Sequence, residues 1–263
     1  MRHCLTAISL FTVLLTACNG NRLQPRSGGR LYETLVVGDT NGIVQRALST
    51  DVTALPQSEP DFDVSAVAHN GLNTTLQLSR NIVITDINSA HYSTVKITYE
   101  KDIYAHPQMV VNLKAPSAAA LRQALNGREG QQLRQLLERS ELNFTLSQLQ
   151  NKRNTRQEEI IRKMFGITLW VPLDMTGSRR GRNFLWISNN NATAMQNLVI
   201  YQLKGKPLQR AGKDMTHVFT TLRDSVMKSN IKGETDAMFM QTSALPVVVE
   251  TSRERGQNLI TFR

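Results

Sequence analysis

Residues 109–140, MVVNLKAPSAAALRQALNGREGQQLRQLLERS, decide the fold class, because the spacing of apolar side chains changes within them. Residues 109–113 read as a strand. The period then turns helical, over 117–125 and over 131–140, where Leu133, Leu136 and Leu137 share one face. Upstream, 31–37 is an apolar strand candidate, followed by Asp39-Thr40-Asn41 as a cap and a short helix through Ile43, Val44, Ala47 and Leu48. Residues 62–67, 81–87 and 95–99 add further strands, the second rich in β-branched residues. Downstream, a helix or helix pair over 145–165 closes on Ile160, Ile161, Met164 and Phe165, with Gly166 as its stop. Strand candidates at 167–171, 184–188 and 198–203, a helix over 216–229 and three strand-like runs between 237 and 262 complete the chain. Strands covered by helix in each half predict an α+β protein of two sheet-and-helix sandwich units in series, 31–143 and 144–263.

The N-terminus carries an address. Arg2 and His3 precede an apolar segment over 5–15, and Leu15-Thr16-Ala17-Cys18 closes it. A membrane span needs about 20 apolar residues, so the segment reads as a cleaved bacterial lipoprotein signal peptide, residues 1–17. Cys18 becomes the lipidated residue, which ties the protein to a membrane through its acyl chains. Residues 18–30 are polar and contain Gly, Pro and Ser, the composition of a flexible tether. Ser27-Gly28-Gly29 lacks the preceding strand and following Lys-Ser or Lys-Thr of a phosphate loop. The other cysteine, Cys4, leaves with the signal, so no thiol remains for a disulfide or a zinc-thiolate site.

A net charge of +10, of which the leader holds only Arg2, points to an anionic counterpart. The basic runs Lys152-Arg153-Asn154-Thr155-Arg156 and Arg179-Arg180-Gly181-Arg182 contain no aromatic residue on which bases would stack, and export separates the chain from nucleic acid. Lipid head groups, an anionic envelope polymer or an envelope protein are the expected partners, with Arg179, Arg180 and Arg182 as candidate polyanion-binding residues. Both runs read as solvated loops.

Several separated motifs resemble an uncharacterised Bacteroidota lipoprotein family catalogued as domain of unknown function 4837. They are Leu55-Pro56-Gln57-Ser58-Glu59-Pro60 with Phe62-Asp63-Val64, Arg80-Asn81-Ile82 leading to Asp86-Ile87, Asp102-Ile103-Tyr104-Ala105-His106-Pro107-Gln108, Phe165-Gly166-Ile167 and Arg223-Asp224-Ser225-Val226. The resemblance extends from about Leu31 onward and implies an envelope lipoprotein; it brings no activity or catalytic residue. Relatives in this resemblance continue beyond the position of Arg263, which makes a shortened member an expectation. In Bacteroidota, lipoproteins sent to the cell surface typically carry acidic residues just after the cysteine, and Asn19-Gly20-Asn21-Arg22 has none. The expected location is the outer membrane, facing the periplasm. Asp224-Ser225-Val226 matches the acidic, hydroxyl, aliphatic pattern of periplasmic O-glycosylation there, with Ser225 as acceptor, although a helix would leave that hydroxyl half exposed.

Catalytic signals are sparse. Glu59, Asp61 and Asp63 alternate, so an extended backbone turns all three carboxylates to one side and Phe62 and Val64 to the other. Such a cluster suits acid–base hydrolysis of a glycan or a calcium site, but the wet face of an edge strand is the preferred reading. His69, His91, His106 and His217 lack metal-ligand spacing, no Gly-x-Ser-x-Gly elbow occurs, and neither metal nor cofactor is expected. His106 before Pro107 reads as a turn residue. Arg80, Asn81 and Asp102, polar residues at strand ends, suit fixing sheet register through backbone bonds. The expected function is a non-enzymatic scaffold or binding subunit of the envelope, with a glycan or peptidoglycan hydrolase using Glu59, Asp61 and Asp63 as the alternative.

Overall fold

The computed structural model describes residues 24–52, 55, 57–205, 207–235, 237–254 and 256–263. The signal peptide and Cys18 lie outside them. The first half is built on five strands, β1 Glu33–Val37, β2 Asp63–Val67, β3 Asn81–Ile87, β4 Lys96–Lys101 and β5 Met109–Ala115, in the order β2-β1-β3-β5-β4. The first four in that order are mutually parallel, and β4 joins β5 antiparallel at the edge. Central parallel strands are covered on both faces. Accordingly Leu35, Val37, Ile82 and Val110 pack to one side, with Val67, Leu72, Leu76, Ile84 and Tyr104. Val36, Val83, Val111 and Leu113 pack to the other, against three helices.

Those helices are α1 Ile43–Leu48, α2 Ala118–Leu125 and α3 Arg128–Gln150. The Asp39 carboxylate accepts from the Val44 and Gln45 N–H groups at 3.0 Å each, and Ser117 caps α2 by accepting from Ala120 N–H. Leu121, Leu125, Leu133 and Leu137 enter the core. The boundary expected at 143/144 falls inside α3, which runs unbroken to Gln150.

The second half opens with α4 Thr155–Phe165, ended by Gly166 at φ +69°, the left-handed cap a glycine adopts without strain. Strands β6 Gly177–Gly181, β7 Phe184–Ser188 and β8 Asn197–Tyr201 form an antiparallel sheet in sequential order. Ile161, Val171, Met175, Leu185 and Ile187 make its core with α4. The short α5 Pro207–Arg210, the long α6 Met215–Asn230 and a hairpin of β9 Val249–Glu254 and β10 Gln257–Phe262 follow. Phe262 stacks on Phe219 of α6, ring centres 3.7 Å apart.

The α+β class and the separate sheets agree with the sequence reading, and three local expectations are corrected. Residues 167–171 form no strand, because the Val171 backbone is bonded to Asn154 N–H and the Glu158 carboxylate instead of a sheet neighbour. Arg179 and Arg180 lie in edge strand β6, not in a loop. Of the three expected C-terminal strands two form, and Phe239 makes only an isolated bridge to Lys232.

The fourth correction matters most for the site. Residues 24–30, expected to be tether, lie along the first sheet's amino end. His106 N–H donates to Pro25 O, Ser27 N–H to His106 O, Gly28 N–H to Leu78 O and Arg80 N–H to Gly28 O, at 2.8 to 3.1 Å. These are backbone bonds, and they leave no side-chain pattern to read.

Candidate functional site

The seven residues 102–108 connect β4 to β5 and form one wall of a cleft. Asp102 turns the chain at φ +56°, a left-handed conformation that Asp tolerates better than most residues. Its Oδ1 accepts from Gln108 N–H at 2.8 Å, and its own N–H donates to Gln108 O at 3.1 Å. The buried Gln108 amide then locks the rest. Its Oε1 accepts from the Tyr104 and Ala105 N–H groups, and its Nε2 donates to Gln77 O and Ser79 O at 2.7 Å each. With both ends of the amide bonded, the loop is held as part of the scaffold.

Residues 24–27 form the second wall. Gln24 Nε2 donates to Asp102 O at 2.6 Å and the Ser27 hydroxyl to Pro107 O at 2.5 Å. The third wall is α3, through Ser140, Asn143, Phe144, Ser147 and Gln148. Arg26 Nη2 closes the corner by donating to Gln148 Oε1 at 3.3 Å.

A buried ion pair beside the cleft joins the start of β3 to α3. Arg80 Nε lies 2.8 Å from Glu141 Oε1, with side-chain exposures of 3% and 1%. The guanidinium also donates to Gly29 O at 3.1 Å and to Arg30 O, and sits 4.2 Å from the Phe144 ring centre. Asn81 Nδ2 donates to Glu141 Oε1 and to Glu33 O. Arg80 and Asn81 thus bond neighbouring backbone at the start of β3.

The resulting cleft holds about 600 Å³, within the size range of small-ligand sites. Arg26, Lys101 and His106 bring basic groups to it, and the Asn143 and Gln148 amides line it. Asp102 is the acid there, and its carboxylate is engaged: Oδ1 by Gln108 N–H, Oδ2 by His106 Nδ1 at 3.1 Å. The recess is therefore rich in donors and suited to an anionic or hydroxyl-rich ligand. The Ser147 hydroxyl donates to Phe144 O at 2.7 Å.

The second half holds another polar cluster. Arg223 Nη1 lies 3.1 Å from Asp224 Oδ1 on α6, and Thr242 donates to the same oxygen through its N–H and hydroxyl at 2.8 and 2.7 Å. Burial opposes ionisation of Asp224, but the Thr242 bonds and Arg223 outweigh it and hold the carboxyl below its ordinary range. Half-burial lifts the Tyr201 phenol above its usual value, with Arg223 opposing. This cluster pins residue 242 to α6.

The carboxylates of Asp61 and Asp63 are drawn to different partners. Asp63 pairs with Arg30 and Asp61 Oδ2 accepts from the Thr50 hydroxyl at 3.2 Å, while the Glu59 backbone carbonyl accepts from Val52 N–H. Phe62 between them is buried. Among the described residues no three His, Cys, Asp or Glu side chains are grouped to hold a metal ion. Arg179 and Arg180, being adjacent in β6, project to opposite faces, and Arg182 stands in the two-residue turn to β7. Ser225 is exposed on α6. Cys18 falls outside the described residues, and among these no helix is long and apolar enough to cross a membrane.

The cleft itself was not read from the sequence. The motif from Asp102 to Gln108 was its one visible sign, and its partner wall, residues 24–27, has the composition of a linker.

Comparison with known families divides the chain where α3 gives way to α4. Residues 27–150 match a domain of unknown function (DUF8532), and residues 154–263 match another (DUF4837). The DUF4837 likeness thus covers the half with Phe165-Gly166-Ile167 and Arg223-Asp224-Ser225-Val226, whereas the motifs around Pro60, Arg80 and Asp102 fall in the DUF8532 match. No curated protein and no solved structure matches the chain.

Proposed function

We propose that this chain is a Bacteroidota envelope lipoprotein, anchored in the outer membrane through Cys18 and facing the periplasm, that acts as a binding subunit for an anionic envelope polymer. The observation that carries the binding role is the donor-rich cleft under residues 102–108, whose three walls are fixed to one another before any ligand arrives. A preformed site binds without the cost of ordering its own loops. The anchor rests on Leu15-Thr16-Ala17-Cys18 after an apolar segment. Hydrolysis at Glu59, Asp61 and Asp63 gains no support from the geometry, since Asp61 and Asp63 are bonded to different partners.

Titration calorimetry with acidic peptidoglycan fragments tests the binding role. Arg26→Gln with Lys101→Gln should weaken binding at least tenfold and flatten its salt dependence, since two charges that draw an anion to the cleft are lost. Unchanged affinity in that double variant, or no binding by the wild type, refutes the cleft as the site. Cys18→Ser should abolish incorporation of labelled palmitate, and label that persists refutes the anchor.

A further inference from the structure

The outward face of α3 changes character along its length. Gln135, Glu138, Leu142, Leu146 and Leu149 follow one another at helical spacing, polar at the first two positions and apolar at the last three. The opposite face is spent on the core through Leu133, Leu137 and Glu141. Leu142 is 56% exposed and Leu146 41%. Beside the end of the helix the Leu173 backbone is fixed by its N–H to Lys152 O at 2.9 Å, and the residue is 58% exposed. Leu149, Pro172 and Leu173 line an apolar groove there of about 690 Å³. Contiguous apolar surface of this kind marks a contact site.

We propose that this surface, Leu142, Leu146, Leu149 and Leu173, lies on the lipid bilayer that holds the acyl chains of Cys18; the inference rests on the anchor reading above. Chain geometry supplies the occupant. Gln24 and Arg26 are fixed in the cleft beside the same end of α3, where Arg26 bonds Gln148, and Gln148 also borders the apolar groove. Cys18 is six residues before Gln24, so its lipid is within about 20 Å of that point even with the chain fully extended. A helix with side chains is only about 10–12 Å across, so the anchor brings the bilayer to this end of α3. Charge agrees. Lys152 and Asp174 both line the groove, and Arg26 and Lys101 line the cleft that shares Gln148 with it, so basic groups outnumber acidic ones around this end of α3, as on surfaces that settle into anionic membranes. The lipid alone would leave the domain free to tumble; the leucines give it one orientation, with the cleft opening along the side of α3.

The chain's two tryptophans are replaced, Trp170→Phe and Trp186→Phe, and a single reporter is placed by Leu146→Trp or, as control, by Gln135→Trp. Each full-length protein is isolated from membranes and reconstituted in phosphatidylglycerol–phosphatidylcholine vesicles with brominated acyl chains. Position 146 should be quenched at least twofold with a blue-shifted emission, and position 135 should not. A nitroxide on Leu146→Cys in the otherwise natural chain gives a second reading, with protection from aqueous relaxing agents expected. Palmitoylated protein in which position 146 is no more quenched or protected than position 135 overturns the docking surface and leaves the anchor standing. Wild type without palmitate overturns both. Dimers abolished by Leu142→Ser and Leu146→Ser would assign the face to a second copy and overturn the proposal.

Discussion

At the scale of single residues, the Arg80–Glu141 pair is the most consequential contact in the first half. Two charges with side chains almost wholly removed from water are tolerable only together, and here each also meets neutral partners, Gly29 O and Arg30 O for the guanidinium and Asn81 for the carboxylate. Glu141→Gln should therefore cost about 3–5 kcal/mol in urea unfolding, because it leaves the Arg80 charge buried and unbalanced. Arg80→Met combined with Glu141→Leu should be less damaging than the single change. Sequence reading anticipated Arg80 as a residue that fixes register, since a polar side chain opening an apolar strand must bond something. It could not supply the partner, Glu141, which is 61 residues away: the spacing of Leu133 and Leu137 puts position 141 on the inward face of α3 but does not say what its carboxylate meets.

At the scale of elements, α4 is held to the following segment by Glu158. Its carboxylate takes Arg153 and the Val171 N–H, and these hold its pKa below the ordinary 4.5 although burial opposes them. A carboxyl depressed in the folded state stabilises fully above its unfolded value and loses that contribution as pH falls through the folded one. Glu158→Gln should accordingly cost about 1 kcal/mol at pH 7, a charge-assisted bond discounted for partial exposure, and the gap from wild type should close as urea unfolding is repeated from pH 4.5 downward. A gap that stays constant with pH would show that the ion pair is not the source. The same contact explains why 167–171 misleads. Its apolar residues suit a strand, but Val171 spends its backbone bonds on the start of α4.

At the scale of the whole molecule, the two halves have separate cores, one on the five-stranded sheet and one between α4 and the β6-β7-β8 sheet. Calorimetry should resolve two transitions, with Glu141→Gln lowering one and Glu158→Gln the other. A single transition lowered by both variants would mean that the two halves unfold as one unit. What the amino-acid order determined by itself is the set of local elements, because alternation, helical period and stop residues act over a few neighbours: the five strands of the first half, the helices α1, α2 and α6 and the Gly166 terminus were legible so, whereas the unbroken run of α3 to Gln150 was not. Only the tertiary structure decided the strand order β2-β1-β3-β5-β4, the docking of residues 24–30 and the cleft between them and α3. Those features are made by backbone hydrogen bonds and by side chains meeting across 48 to 122 positions, and neither leaves a periodic trace in the chain.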